Sequence, residues 1–162
     1  MASVWIGIEV WRSRHSEAGQ PPGSSGVAAR RGLVREQVNR ISDALVNLAA
    51  GPADIPRFFV LEVDERRGIF AQFLRTETGI WAEIVSSQFL APWHRLTPDQ
   101  EGMLIEHGWL APDEVSPNFH REFVITPPVK HLRGYAMLVL DTLMHVYGVH
   151  ESDPITIEFR DG

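Results

Sequence analysis

From Arg30 to Ala50 the apolar residues Val34, Val38, Ile41, Leu45 and Leu48 recur at intervals of 4, 3, 4 and 3. That spacing sets them on one face of a helix, and Gly51-Pro52 supplies its stop. The period then changes. RFFVLEVD (57–64), GIFAQFLRT (68–76) and GIWAEIVSS (79–87) alternate apolar with other positions, with the turn-forming DERRG and TETG between them. Alternation puts Phe59, Leu61 and Val63, then Ile69, Ala71 and Phe73, then Ile80, Ala82 and Ile84 on one face of an antiparallel meander. The opposite face carries Phe58, Val60, Phe70, Leu74, Trp81 and Val85.

At Thr97 the pattern returns to a helix start. Thr-Pro-Asp-Gln offers an N-cap, a proline at the first helical position and Gln100 in place for a capping box, with acids in the first turn where the helix dipole favours them. Gly108 ends this short helix. After the connector come REFVIT, read as a strand, and Pro127-Pro128, leading into a helix to about Tyr147 in which Leu132, Ala136, Val139, Leu143 and Val146 repeat at 4, 3, 4, 3 before Gly148. ITIEF (155–159) alternates as a last strand. Strands grouped together with helices at the flanks predict an α+β fold: a three-strand meander within an antiparallel sheet, an N-terminal helix, a short middle helix and a long C-terminal one.

Ahead of these elements, VWIGIEVW has the pattern of a short strand, and SEAGQPPGSSG after it has linker composition. Residues 1–28 are therefore expected to be a flexible or extended appendage to a single domain spanning 29–162. The chain's 162 residues, 44% hydrophobic and 22% charged, fit one globular core. Without cysteine there is no disulfide or thiolate chemistry. No apolar run approaches the roughly 20 residues of a membrane span, and the charges at the N-terminus follow the apolar stretch, the reverse of a signal peptide's order. A cytoplasmic protein is expected.

Fourteen of the 15 basic residues are arginine, a bias expected of GC-rich coding DNA. Charge is uneven: residues 1–40 hold six Arg against three Glu, whereas 97–128 hold six acids against Arg121 alone. A formal charge of −6 repels phosphate backbones, and no basic patch strong enough to override it is visible, so no nucleic-acid partner is expected.

Catalytic signatures are missing: there is no GxGxxG, GxxxxGK[ST] or GxSxG, and His150-Glu151 lacks the second histidine of a zinc helix. Of the seven histidines, His131 and His145 on the long helix would stand about 21 Å apart, beyond one coordination sphere. His107 and His120 flank the connector and could converge, which keeps a small metal-dependent hydrolase as an alternative. Asp113-Glu114 and Asp99 with Glu101 are accounted for by solvation and capping. No catalytic, cofactor-binding or metal-ligating residue is assigned, and no enzyme activity is expected.

The aromatics Trp81, Trp93, Trp109, Phe89 and Phe119 gather around the third strand and the loops after it, as core or as a docking surface. Trp109 and Phe119 read as core. If both long helices cover the same face, Phe58, Val60, Phe70, Leu74, Trp81 and Val85 form an uncovered apolar face that a peptide, a protein or a second copy would cover.

GWLAPDEVSPNF followed by LDTLMHVYGV resembles the actinobacterial domains related to YbjN and to type III secretion chaperones, the TY-Chap family. The resemblance runs from about Arg30 to Phe159. It rests on Gly108, Trp109, Pro112, Asn118 and Phe119, then Thr142, Leu143, Val146, Tyr147, Gly148 and Val149. It implies a small secretion-chaperone-like α+β fold, commonly dimeric, with peptide or protein binding in place of catalysis. The matched residues read as scaffold: Gly108 capping a helix, Trp109 filling a gap against the sheet, Asn118 tying the loop. The leading expectation is a peptide- or protein-binding chaperone-like or adaptor module. The alternative is a cognate-protein recognition factor, immunity or targeting, of a bacterial conflict or secretion system.

Overall fold

The computed structural model describes residues 27–52, 57–126 and 129–161. VWIGIEVW and its linker lie outside them. Helix α1, Val27–Ala50, starts inside the segment read as appendage and otherwise follows the expected helix. Val38, Ile41, Ala44, Leu45 and Leu48 are buried along one stripe of it.

Five strands follow: β1 Arg57–Asp64, β2 Ile69–Arg75, β3 Gly79–Ile84, β4 Phe119–Val124 and β5 Thr156–Asp161. They form one sheet in the order β4-β3-β2-β1-β5, with every pairing antiparallel. The meander is as the alternation predicts. The last strand adds beside the first, and β4 continues the other edge.

Alternation also decides which face is inward. Phe59, Leu61, Phe73, Ile80, Ala82, Ile84 and Phe123 are fully buried on one side, where Phe59 stacks on Phe73 with centroids 4.6 Å apart. Each of the Phe, Leu and Ile side chains taken from water contributes about 1.5–3 kcal/mol. The helices supply the cover. α1 packs against helix α3, Leu132–His145, and touches β1 and β2. From α3, Tyr135 stacks on Phe123 of β4 at 4.2 Å. Both long helices therefore lie on the same face.

Helix α2, Pro98–Glu106, opens with the expected capping box: Thr97 and Gln100 each take the other's backbone N–H. Gln100 Nε2 also donates to the Val146 carbonyl at 2.7 Å, tying α2 to the end of α3. Several boundaries differ from the sequence reading. β3 stops at Ile84 rather than Ser87, because the Ser86 N–H bonds to Asn118 Oδ1 and its hydroxyl to the Pro117 carbonyl, outside any ladder. β4 starts at Phe119, ahead of REFVIT. α3 ends at His145 and is preceded by a 3-10 turn, Val129–His131, so His131 is not on the helix that holds His145.

Candidate functional site: the uncovered sheet face

On the side away from α1 and α3, register places side chains in rows across the strands. One row reads Arg160, Phe58, Leu74, Trp81, Glu122 from β5 to β4. The next reads Glu158, Val60, Gln72, Glu83, His120. Phe70 lies one step further along β2, opposite Glu62. Phe58, Val60, Phe70, Leu74 and Trp81 are all half-buried, and Phe70 packs in part against the core. Neither long helix lies over them. Val85 does not belong with them. It sits past the end of β3, fully buried in the core, with its carbonyl accepting the Tyr147 hydroxyl at 2.6 Å. The face is also less uniformly apolar than strand alternation alone predicts, since a polar row runs beside the apolar one.

The centre of that polar row is Glu83, 6% exposed. Its Oε1 accepts from Trp81 Nε1 at 3.0 Å and Ser116 Oγ at 2.9 Å. Its Oε2 accepts from Gln72 Nε2 at 2.6 Å and Asn118 Nδ2 at 3.3 Å. Four donors answer the two oxygens, so the carboxylate is buried with its hydrogen-bonding capacity met. His120 completes the cluster, stacked on Trp81 with centroids 4.9 Å apart. Sequence reasoning missed this cluster. The signal was present in Gln72 and Glu83 alternating onto the same face as Trp81, but His120 joins them only through the β3–β4 register.

The connector from Gly108 to Phe119 is what that cluster anchors. Gly108 holds φ +84°. The Gly108 N–H bonds to the Ile105 carbonyl and the Trp109 N–H to the Leu104 carbonyl, the paired bonds of a Schellman stop, which needs a left-handed residue there. Trp109, 1% exposed, meets Phe123 edge-on at 6.3 Å, filling the gap its spacing predicts. Leu110 then pairs with His120 along the β4 edge. Pro112 is exposed, Asn118 and Phe119 are buried, and Asn118 makes the side-chain-to-backbone tie to Ser86 at 3.1 Å. At the end of α3, Tyr147 is buried and Gly148 turns the chain at φ +65°. Burial pushes the Tyr147 phenol far above its ordinary pKa, with Glu101 adding to the shift.

The remaining candidates fall apart spatially or into structural roles. His120 faces the uncovered side with Trp81, whereas His107 Nδ1 lies 3.3 Å from Thr142 Oγ1 of α3, on the helix side. The two histidines do not converge, and the hydrolase alternative loses the geometry it requires. Among the described residues no group of three His, Asp or Glu side chains could hold a metal ion. Asp113 accepts from the Ser116 and Val115 N–H groups, and these bonds, against a small opposing effect of burial and aided by His120, hold its carboxyl below the usual range. Of the five aromatics grouped by sequence, Trp109 and Phe119 are core, Trp81 and Phe89 half-buried, and Trp93 is 80% exposed. No helix among the described residues is long and apolar enough to cross a membrane.

A family model described as T3SS (YopN, CesT) and YbjN peptide-binding chaperone 3 matches residues 36–159. That span takes in α2, α3, β1 to β4, and most of α1 and β5. No curated protein and no solved structure matches the chain.

Proposed function

The chain belongs to the TY-Chap3 family of peptide-binding chaperones, and from that premise we propose that it is a non-enzymatic binding module holding an apolar peptide or protein segment against the uncovered sheet face. The observation carrying this reading is the row Phe58, Leu74, Trp81: three large apolar side chains in direct register on three strands, incompletely buried on a side that neither long helix covers. Large apolar patches on monomers mark interaction surfaces. A peptide lying across the row would bury its side chains between these three, and the polar row beside it would set its orientation. The immunity or targeting role is a narrower form of the same binding and would use the same face.

The test is a synthetic array of peptides alternating apolar and polar residues, probed with wild-type protein and with Trp81→Asp. Binding to a subset by the wild type, weakened at least about tenfold in the variant, supports the reading. Equal binding by both proteins, with the variant folded, contradicts it.

A second reading is favoured by the ends of the same row. Arg160 closes it at β5 and Glu122 at β4. A second copy packed face to face, about a two-fold axis running along the strands at Leu74, reverses the row and brings each Arg160 to the other copy's Glu122. Self-complementary contact is the commonest closure of homo-oligomers. Sedimentation velocity distinguishes it: a dimer that Trp81→Asp converts to monomer supports this occupant, and a wild-type monomer at high concentration removes it.

A further inference from the structure

A second surface lies on the opposite side of the molecule. The seam between α1 and α3 opens to solvent as a groove of two lobes, of about 380 Å³ and 440 Å³. Val34, Val38 and Met137 line both lobes, so the two are continuous. Met137 is 55% exposed, a large apolar side chain among the exposed Arg133, Gly134, Asp141 and His145 of α3. Leu140 and Met144 extend the apolar floor of the second lobe. Unbranched methionines adapt to irregular partners, which suits a surface that takes more than one apolar anchor.

Charge is what distinguishes this groove. Four arginines, Arg30, Arg31, Arg35 and Arg133, line the first lobe, and no acid does, in a chain of formal charge −6. Arg30 is engaged with Glu151, and Arg133 donates to Asn39 Oδ1 at 2.5 Å. Arg31 and Arg35 are exposed and have no hydrogen bond or ion pair among the described residues. In the second lobe, Asp141 already pairs with His145 at 2.9 Å. Glu36 of the same helix lines neither lobe. The groove thus joins an apolar floor to guanidinium groups still able to take carboxylates in the forked geometry that arginine favours.

We infer that this groove docks an acidic amphipathic segment of a partner protein, its apolar residues on Val34, Val38 and Met137 and its Asp or Glu side chains on Arg31 and Arg35. The charge pattern selects against a second copy, because a two-fold contact centred on Met137 would offer these arginines only Asp141, which already pairs with His145. A helix laid in the groove, with anchors one turn apart, is the recognition mode the two lobes fit. The site is separate from the uncovered sheet face and stands whether or not that face binds.

The probe is a fluorescein-labelled synthetic peptide with leucines on one helical face and glutamates on the flanks, compared with a version carrying lysine in place of glutamate. Fluorescence anisotropy should show the acidic peptide bound at least about tenfold more tightly than the basic one, and weakening as salt is raised. Arg31→Glu combined with Arg35→Glu should lower its affinity at least about tenfold, as should Met137→Asp. These positions are on the surface, and matching thermal unfolding of variants and wild type verifies that the fold is intact. Trp81→Asp should leave this binding unchanged. Equal binding of the two peptides, or no effect of the arginine reversals, overturns the inference. So does loss of binding in Trp81→Asp, which would move the peptide to the sheet face.

Discussion

The Trp109 indole donates to Thr142 Oγ1 at 3.2 Å, joining the connector after α2 to the last turn of α3. Thr142 in turn donates to the Leu138 carbonyl at 2.8 Å, so its hydroxyl both accepts and donates without leaving the helix. This buried pair thus ties the end of α3 to the connector that leads into β4. Trp109→Ala removes the largest fully buried side chain and is expected to cost about 3–5 kcal/mol. Thr142→Val, which keeps the shape but leaves the indole N–H without a partner, is expected to cost about 1–3 kcal/mol. Urea unfolding of both variants measures this, and a loss below about 1 kcal/mol for Trp109→Ala would remove it from the core set.

At Gly108 the limit is backbone conformation. A side chain at φ +84° is strained, and its Cβ would lie 3.0 Å from Arg121 Nη1, which donates to the His107 carbonyl. Gly108→Ala is expected to destabilise by roughly 1–2 kcal/mol, visible as a lowered urea midpoint at unchanged slope.

Glu83→Gln tests the buried carboxylate. The amide keeps the shape but turns an acceptor into a donor facing other donors. Gln72 can flip to match. Asn118 cannot without giving up its bond to the Ser86 N–H. The expected loss is about 1–3 kcal/mol, with faster hydrogen exchange in the connector as a second readout. A neutral effect would mean that the connector is held without the Glu83 carboxylate, by ties such as Asn118 to Ser86 and Trp109 to Thr142.

Much of this architecture is legible in the chain. The strand period named the inward residues of β1, β2 and β3 because the long helices cover one face and not the other, and the capping box at Thr97 could be read residue by residue because all its partners are local. What was not legible depends on contacts distant in sequence. Val85 continues the alternation of β3 on paper, but Asn118, far along the chain, draws Ser86 out of the ladder and sends Val85 into the core. Glu83 received no role from the sequence, because its donors Ser116 and Asn118 stand far along the chain in the connector. The arginine groove combines residues from the first and last helices, and neither stripe alone predicts it.

Acid sensitivity follows from three carboxyls. Arg30 hydrogen bonding, opposed by burial and aided by the charges of Arg30 and His150, holds Glu151 below its ordinary pKa. Asp64 is raised by burial, but hydrogen bonds and charge from Arg67 outweigh that and leave it lowered. Asp113 is lowered as well. Carboxyls that ionise more readily when folded leave the unfolded chain binding more protons in acid, so stability rises with pH there. Their contribution is complete above the ordinary values, about 3.9 for Asp and about 4.3 for Glu, and is lost as pH falls through the lower folded values. Thermal unfolding followed from neutral pH into this range should show the decline, and the combined variant Asp64→Asn, Asp113→Asn, Glu151→Gln should show a shallower one. An identical pH dependence would refute the assignment.

The claim that the uncovered sheet face is the binding surface is tested most directly by residue-resolved NMR. The isotope-labelled protein is titrated with the strongest-binding peptide of the alternating array. The account predicts shifts at the Trp81 indole N–H and at the amides of Phe58, Leu74 and their register neighbours, while Val34 and Met137 in the helix groove stay still. Shifts confined to the helix side, with the Trp81 indole unmoved at saturation, would contradict it.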